Sequence, residues 1–216
     1  MSRARVKICG ITSPRDLNTA VEAGADAVGF VVEAPKSPRN LDLNKATKLV
    51  KATPIFVETV AVTIHQEPSK LEKIVEEMDP DIIQIHGSGH QYNDIRGRLP
   101  STLLIGAIQP GPNLIHDVVE EVAEMFDAVI VDSALPDGYG GTGRVHNWDY
   151  SRRVRDILYP KPLILAGGLN PGNVKEAIQM VRPYAVDVSS GVESRPGVKD
   201  PKKVVEFIKN VNGVVI

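Results

Sequence analysis

The sequence is nearly without cysteine: Cys9 is the one thiol in 216 residues. A lone cysteine closes no internal disulfide, so a reducing compartment, the cytoplasm, is the expected location. No run approaches the roughly 20 apolar residues of a membrane span. The opening Met1-Ser2-Arg3-Ala4-Arg5 lacks the apolar stretch of a signal peptide and leads straight into a candidate strand. Charge of one sign is missing too, with 25 basic and 27 acidic residues giving a net −2. That balance argues against a nucleic-acid or membrane partner. His65, His90, His116 and His146 stand at no metal-ligand spacing, so no metal is expected. No Gly-x-Gly-x-x-Gly opens a dinucleotide-binding unit.

Short apolar runs rich in Val and Ile recur along the chain, starting near Val6, Ala27, Phe56, Ile82, Leu103, Ala128, Leu163 and Ala185. Most are continuous rather than alternating, as expected of parallel strands covered on both faces. Between them the period changes to that of a helix. From Ser69 to Met78, for example, Leu71, Ile74, Val75 and Met78 share a face opposite Glu72, Lys73, Glu76 and Glu77. Leu114 to Met125 and Asn173 to Val181 behave likewise, and Ser13-Pro14, Pro68-Ser69 and Asn170-Pro171 read as helix starts. Strands alternating with helices at this spacing predict an α/β fold, a single (β/α)8 TIM barrel over residues 1–216, with a doubly wound open sheet as the alternative. No linker or composition break marks a second domain.

In such barrels the site lies at the carboxyl ends of the strands. The first strand ends in Cys9-Gly10, and Ser37-Pro38-Arg39 follows the second. The fourth ends in Gln84-Ile85-His86-Gly87 and the sixth in Asp132-Ser133. The seventh runs into Gly167-Gly168, and the eighth, after Asp187, into Ser189-Ser190-Gly191. The last two turns offer backbone N–H groups and hydroxyls suited to an anion, and loops seven and eight are the usual phosphate site of this fold. Cys9 is either a small buried hydrophobe or a reactive thiol. Asp132 ends an apolar strand, where a carboxylate is costly unless paired or used, and it precedes a glycine-rich loop from Pro136 to Gly143. Arg39 is a solvated charge or an anion-binding fork. His86 is a satisfied core histidine or a supporting site residue. These residues alone predict a phosphate-ligand barrel enzyme with a thiol and a carboxylate in its site.

The segments Lys7-Ile8-Cys9-Gly10-Ile11-Thr12, Ser37-Pro38-Arg39, Gln84-Ile85-His86-Gly87, Asp132-Ser133, Gly140-Gly141-Thr142-Gly143, Leu165-Ala166-Gly167-Gly168-Leu169 and Asp187-Val188-Ser189-Ser190-Gly191-Val192-Glu193 occur in this order over nearly the whole chain. In them the sequence closely resembles the phosphoribosylanthranilate isomerases of tryptophan biosynthesis. The resemblance implies a cofactor-free Amadori rearrangement of N-(5-phosphoribosyl)anthranilate to the corresponding aminoketose. It makes Asp132 the general acid and Cys9 the general base. It gives Arg39 the substrate carboxylate, and Gly167, Gly168, Ser189, Ser190 and Gly191 the phosphate. Lys7 falls on the same side of its strand as Cys9 and is expected to favour the thiolate, with His86 and Asp187 in support. Two departures from the family pattern stand out. Val32 replaces an aromatic, ahead of a loop one residue longer, and His146-Asn147-Trp148 stands where Phe-Asp-Trp is common. A histidine-pathway aminoaldose isomerase is the alternative enzyme, although an aspartate would then stand at Cys9. A non-catalytic phosphosugar-binding barrel is the alternative outside enzymes. The expected partner is a phosphorylated small molecule, and the protein itself a monomer or homodimer.

Overall fold

The computed structural model describes residues 3–64, 67–86, 95–111, 116–133 and 145–216. The barrel strands are β1 (Arg5–Cys9), β2 (Ala27–Val32), β3 (Glu58–Ile64), β4 (Ile82–His86), β5 (Leu103–Ile108), β6 (Ala128–Val131), β7 (Leu163–Leu165) and β8 (Ala185–Val188). They run parallel in sequence order. Closure comes from β1, which pairs with β2 on one side, Lys7 opposite Ala27, and with β8 on the other, Lys7 opposite Asp187. A two-residue strand, Asn40–Leu41, adds to the end of β2. The open-sheet alternative is thereby set aside.

Helices follow the strands: α1 (Pro14–Ala23), α2 (Leu43–Ala52), α3 (Pro68–Met78), α4 (Ile95–Arg98), α5 (His116–Met125), α6 (Trp148–Leu158), α7 (Val174–Val181) and α8 (Pro201–Asn212). Local sequence sets their ends. Ser13 accepts from the Asp16 N–H at the start of α1, Gly24 closes that helix at φ 95°, and Asp200 caps α8 through Lys202 and Lys203.

Strand residues alternate between two apolar environments, which is why the runs look continuous. Outward residues such as Ile8, Phe30, Ile83, Leu104, Val129 and Val186 pack against the helices. Inward, Ile105, Ile130, Ile164 and Ala185 form one cluster and Val60 packs near Cys9 in another. This is a dry floor across the barrel. Above it, at inward positions in the carboxyl-terminal halves of the strands or just after them, sit Lys7, Gln84, Asp132 and Asp187.

The expected elements appear with two differences. β3 starts at Glu58 rather than Phe56, which is 95% exposed in a left-handed turn at φ 71°. α7 starts at Val174, because Asn170 uses its side chain to accept from the Gly172 N–H in a turn of its own. α5 is described from His116, and its expected start at Leu114 lies outside the described residues. Gly87, His65, His90, the 136–143 loop and its Gly140-Gly141-Thr142-Gly143 segment lie outside the described residues.

Candidate active site

The strand ends enclose a cavity whose lining includes Cys9, Arg39, Gln84, His86, Asp132, Asp187 and Ser189. Residues that are far apart in sequence meet here because they lie at or just after the carboxyl ends of β1, β2, β4, β6 and β8.

Asp132 is half-buried on the cavity wall. Burial and the neighbouring Asp187 charge push its pKa up to about 6, against the opposing pull of Lys7 and of the Ser133 backbone N–H. Lys7 donates to Asp187 at 2.8 Å and also hydrogen-bonds to Cys9. Burial favours discharge of that ammonium, but Asp187 and the thiol hold it charged, with its pKa above the usual lysine range. For Cys9 burial is the larger effect and raises the thiol, with Asp187 adding to it and Lys7 and Lys199 working against it. The expected help from Lys7 is therefore present but outweighed by burial.

His86 is pushed down to about 4 by burial and then by Lys7, so its ring is neutral at working pH. The Gln84 side-chain nitrogen lies 2.6 Å from His86 Nε2. Gln84 Oε1, Ser189 Oγ and Thr63 Oγ1 are buried without a hydrogen-bond partner. A buried unsatisfied polar atom costs roughly 1–3 kcal/mol. Thr63, Gln84 and Ser189 all line the cavity.

The two turns expected to hold phosphate come together. Gly167 and Gly168 both adopt left-handed backbone, φ 83° and 69°. A Cβ on Gly167 would fall 2.3 Å from Ser133 Oγ, and one on Gly191 would fall 1.9 Å from the Leu169 carbonyl oxygen. Asn173 pins the first turn, accepting from the Asn170 N–H and donating to the Gly168 carbonyl. Ser190–Val192 form a single 3-10 turn after β8.

Arg39 is buried rather than solvated. Its Nε donates to one carboxylate oxygen of Glu193 at 2.8 Å and one Nη to the other at 2.7 Å. Lys199 joins from below, donating to Glu193 at 2.9 Å and to the Ser189 carbonyl at 3.2 Å. Thus Arg39 lines the cavity with its other Nη outside the Glu193 fork. Glu193 and Lys199 were not singled out from the sequence, although Glu193 ends the Asp187–Glu193 segment. Lys199 has no local signal, since the contact depends on the hairpin pairing Glu193 with Lys199. Among the described residues, His116, Asp117 and Glu120 also cluster, but all are exposed on α5 and none lines the cavity.

The chain resembles known proteins over almost its full length. The family model for N-(5'-phosphoribosyl)anthranilate (PRA) isomerase matches residues 6–210. An N-(5'-phosphoribosyl)anthranilate isomerase of Methanothrix thermoacetophila is 44% identical, covering 96% of this chain and 97% of that one. The crystal structure of phosphoribosyl anthranilate isomerase from Thermotoga maritima superposes with a TM-score of 0.84 at 38% identity, covering 98% of this chain and 100% of that one. Another phosphoribosyl anthranilate isomerase structure, in complex with reduced 1-(o-carboxyphenylamino)-1-deoxyribulose 5-phosphate, gives 0.81 at 36% identity, covering 98% and 100%.

Proposed function

The chain belongs to the N-(5'-phosphoribosyl)anthranilate isomerase family, and from that membership we propose how its own residues carry out the Amadori rearrangement of tryptophan biosynthesis. The protonated Asp132 carboxyl donates to the ring oxygen of phosphoribosylanthranilate. The C1–O bond breaks as the anilino nitrogen lone pair forms an iminium. That cation acidifies the C2 proton, which the Cys9 thiolate removes to leave an enolamine. Ketonisation adds a proton at C1 and releases that of the 2-hydroxyl, restoring acid and base over the cycle.

The observation that carries this reading is the raised pKa of Asp132, about 6, in a cavity shared with Cys9. A carboxyl held near neutrality is suited to giving up a proton, as an ordinary surface aspartate is not. Asp187 and Lys7 tune both groups. The glycine turns and the unpartnered Ser189 hydroxyl suit the phosphate, with Ser190 and Gly191 beside it. Arg39, held by Glu193, takes the anthranilate carboxylate through its remaining Nη.

We place this activity in the cytoplasm, in one barrel domain over residues 1–216, in a monomer or a homodimer. Among the described residues no helix is long and apolar enough to cross a membrane. The test is loss of phosphoribosylanthranilate fluorescence by purified protein beside an Asp132→Asn control. Turnover by the wild type and near-silence in the control are expected. A folded wild type with no turnover refutes the reaction.

A further inference from the structure

His146 sits where the family pattern commonly has phenylalanine, and the structure gives it specific partners. Its Nδ1 lies 2.8 Å from Ser133 Oγ and its Nε2 lies 2.6 Å from Ser151 Oγ. Ser151 is fully buried on the first turn of α6. Ser133 directly follows Asp132, and its backbone N–H donates to the Asp132 carboxyl. The Ser133 hydroxyl and backbone nitrogen also fill the space at Gly167 in which a side chain would stand. One residue thus touches the acid, the first glycine of the phosphate turn and the imidazole.

We propose that His146 is a positioning residue for the acid: it ties Ser133 to helix α6 and so fixes the Ser133 N–H on Asp132 and the spacing of Asp132 from the Gly167 turn. The proposal rests on the assignment of Asp132 as general acid. An imidazole suits the task because a neutral ring accepts at one nitrogen and donates at the other, bridging two hydroxyls in either sense. Burial pushes its pKa down to about 4, which keeps the ring neutral through the working range. Phenylalanine fills similar space but bonds to neither serine. In this chain a polar latch therefore stands at a position where an apolar side chain is common, and it connects the residues on either side of the 134–144 stretch.

The direction of the effect follows from the contact. The Ser133 N–H stabilises the ionised Asp132, so loosening it raises the Asp132 pKa. His146→Phe and Ser151→Ala are each expected to lower kcat by about tenfold, as small misplacements of a catalytic group do, with KM changing less. The acid limb of the kcat profile should move to higher pH. His146→Gln, which keeps a donor and an acceptor, should recover part of the loss. The double variant should be no worse than either single one, since both cut the same chain.

Carboxyl-carbon NMR of Asp132 in the same proteins reads its titration without turnover, and should show the same upward shift. An unchanged Asp132 titration in His146→Phe and in Ser151→Ala overturns the proposal, even if thermal stability falls. So do additive losses in the double variant. A wild type inactive on phosphoribosylanthranilate rejects the assigned reaction, and the NMR titration still decides on the latch.

Discussion

Replacing Asp132 by asparagine should inactivate the enzyme and stabilise it, and the size of the gain should depend on pH. The folded carboxyl titrates near 6, against an ordinary value of 3.8. Below the ordinary value both folded and unfolded chains hold the proton. As pH rises through the window between the two values, the unfolded chain releases its proton while the folded one retains it. Stability therefore falls across that window and levels off above it. A shift of about 2 units at 1.36 kcal/mol each puts the deficit at about 3 kcal/mol at neutral pH. The carboxyl is half-buried and faces the cavity, so solvent screening makes this an upper bound. Asparagine has nearly the same shape and never ionises. Any fixed difference in packing or hydrogen bonding is the same at every pH, so the informative quantity is the change in the gap between the two proteins. Urea unfolding at about pH 4, where the unfolded chain has already released part of its proton, and at about pH 8 should show the asparagine variant gaining up to about 2.5 kcal/mol on the wild type between the two conditions, or up to about 5–10 °C in Tm for a chain of this size. Turnover should fall by about 10² to 10⁴-fold. A gap that stays constant with pH would refute the claim that burial and Asp187 hold this carboxyl protonated.

The pH profile of kcat/KM should be bell-shaped, because the active form carries one proton between acid and base. The acid limb should fall near pH 6 and the alkaline limb above the ordinary thiol value, since burial raises Cys9. Cys9→Ser should abolish most turnover, and a serine variant with near-native rate would remove the thiol from the mechanism. Glu193→Gln should raise KM by about tenfold with kcat within about twofold, since one misheld guanidinium weakens ground and transition states alike; an unchanged KM would detach Arg39 from substrate. Gly191→Ala drives a methyl to 1.9 Å from the Leu169 carbonyl. It should lower thermal stability and weaken inhibition by inorganic phosphate, and unaltered phosphate inhibition would move the phosphate elsewhere.

Much of the barrel was legible because a parallel strand covered on both faces leaves a simple mark, a short run of β-branched residues. Seven of the eight strand starts fall within a residue of their expected places, and the exception has a physical cause. Phe56 extends the apolar run in sequence, yet it lies in an exposed left-handed turn that no strand continues. Alternation along β1 was enough to put Lys7 beside Cys9. It did not reveal that Asp187 holds the ammonium, because that contact depends on the register of two strands 180 residues apart. Arg39 was harder still. A charged residue in a polar loop reads as solvated, and only the assembled fold shows Glu193 and Lys199 waiting for it. Gln84 was passed over within its own motif for the same reason: an amide on an apolar strand shows its purpose only when its unpaired oxygen is seen facing a cavity.

The apolar floor of the barrel also decides the fate of a hydrogen atom. Below the thiol the barrel interior is lined by apolar side chains, among them Ile105, Ile130, Ile164 and Val60. A deuteron lifted from C2 by Cys9 therefore meets bulk water mainly through the mouth that the substrate itself fills, and exchange with the Lys7 ammonium dilutes it only in part. Labelled substrate should return part of its isotope to C1 of the product rather than surrender all of it to solvent. The packing at the bottom of the barrel would then be readable in a mass spectrum of what leaves at the top.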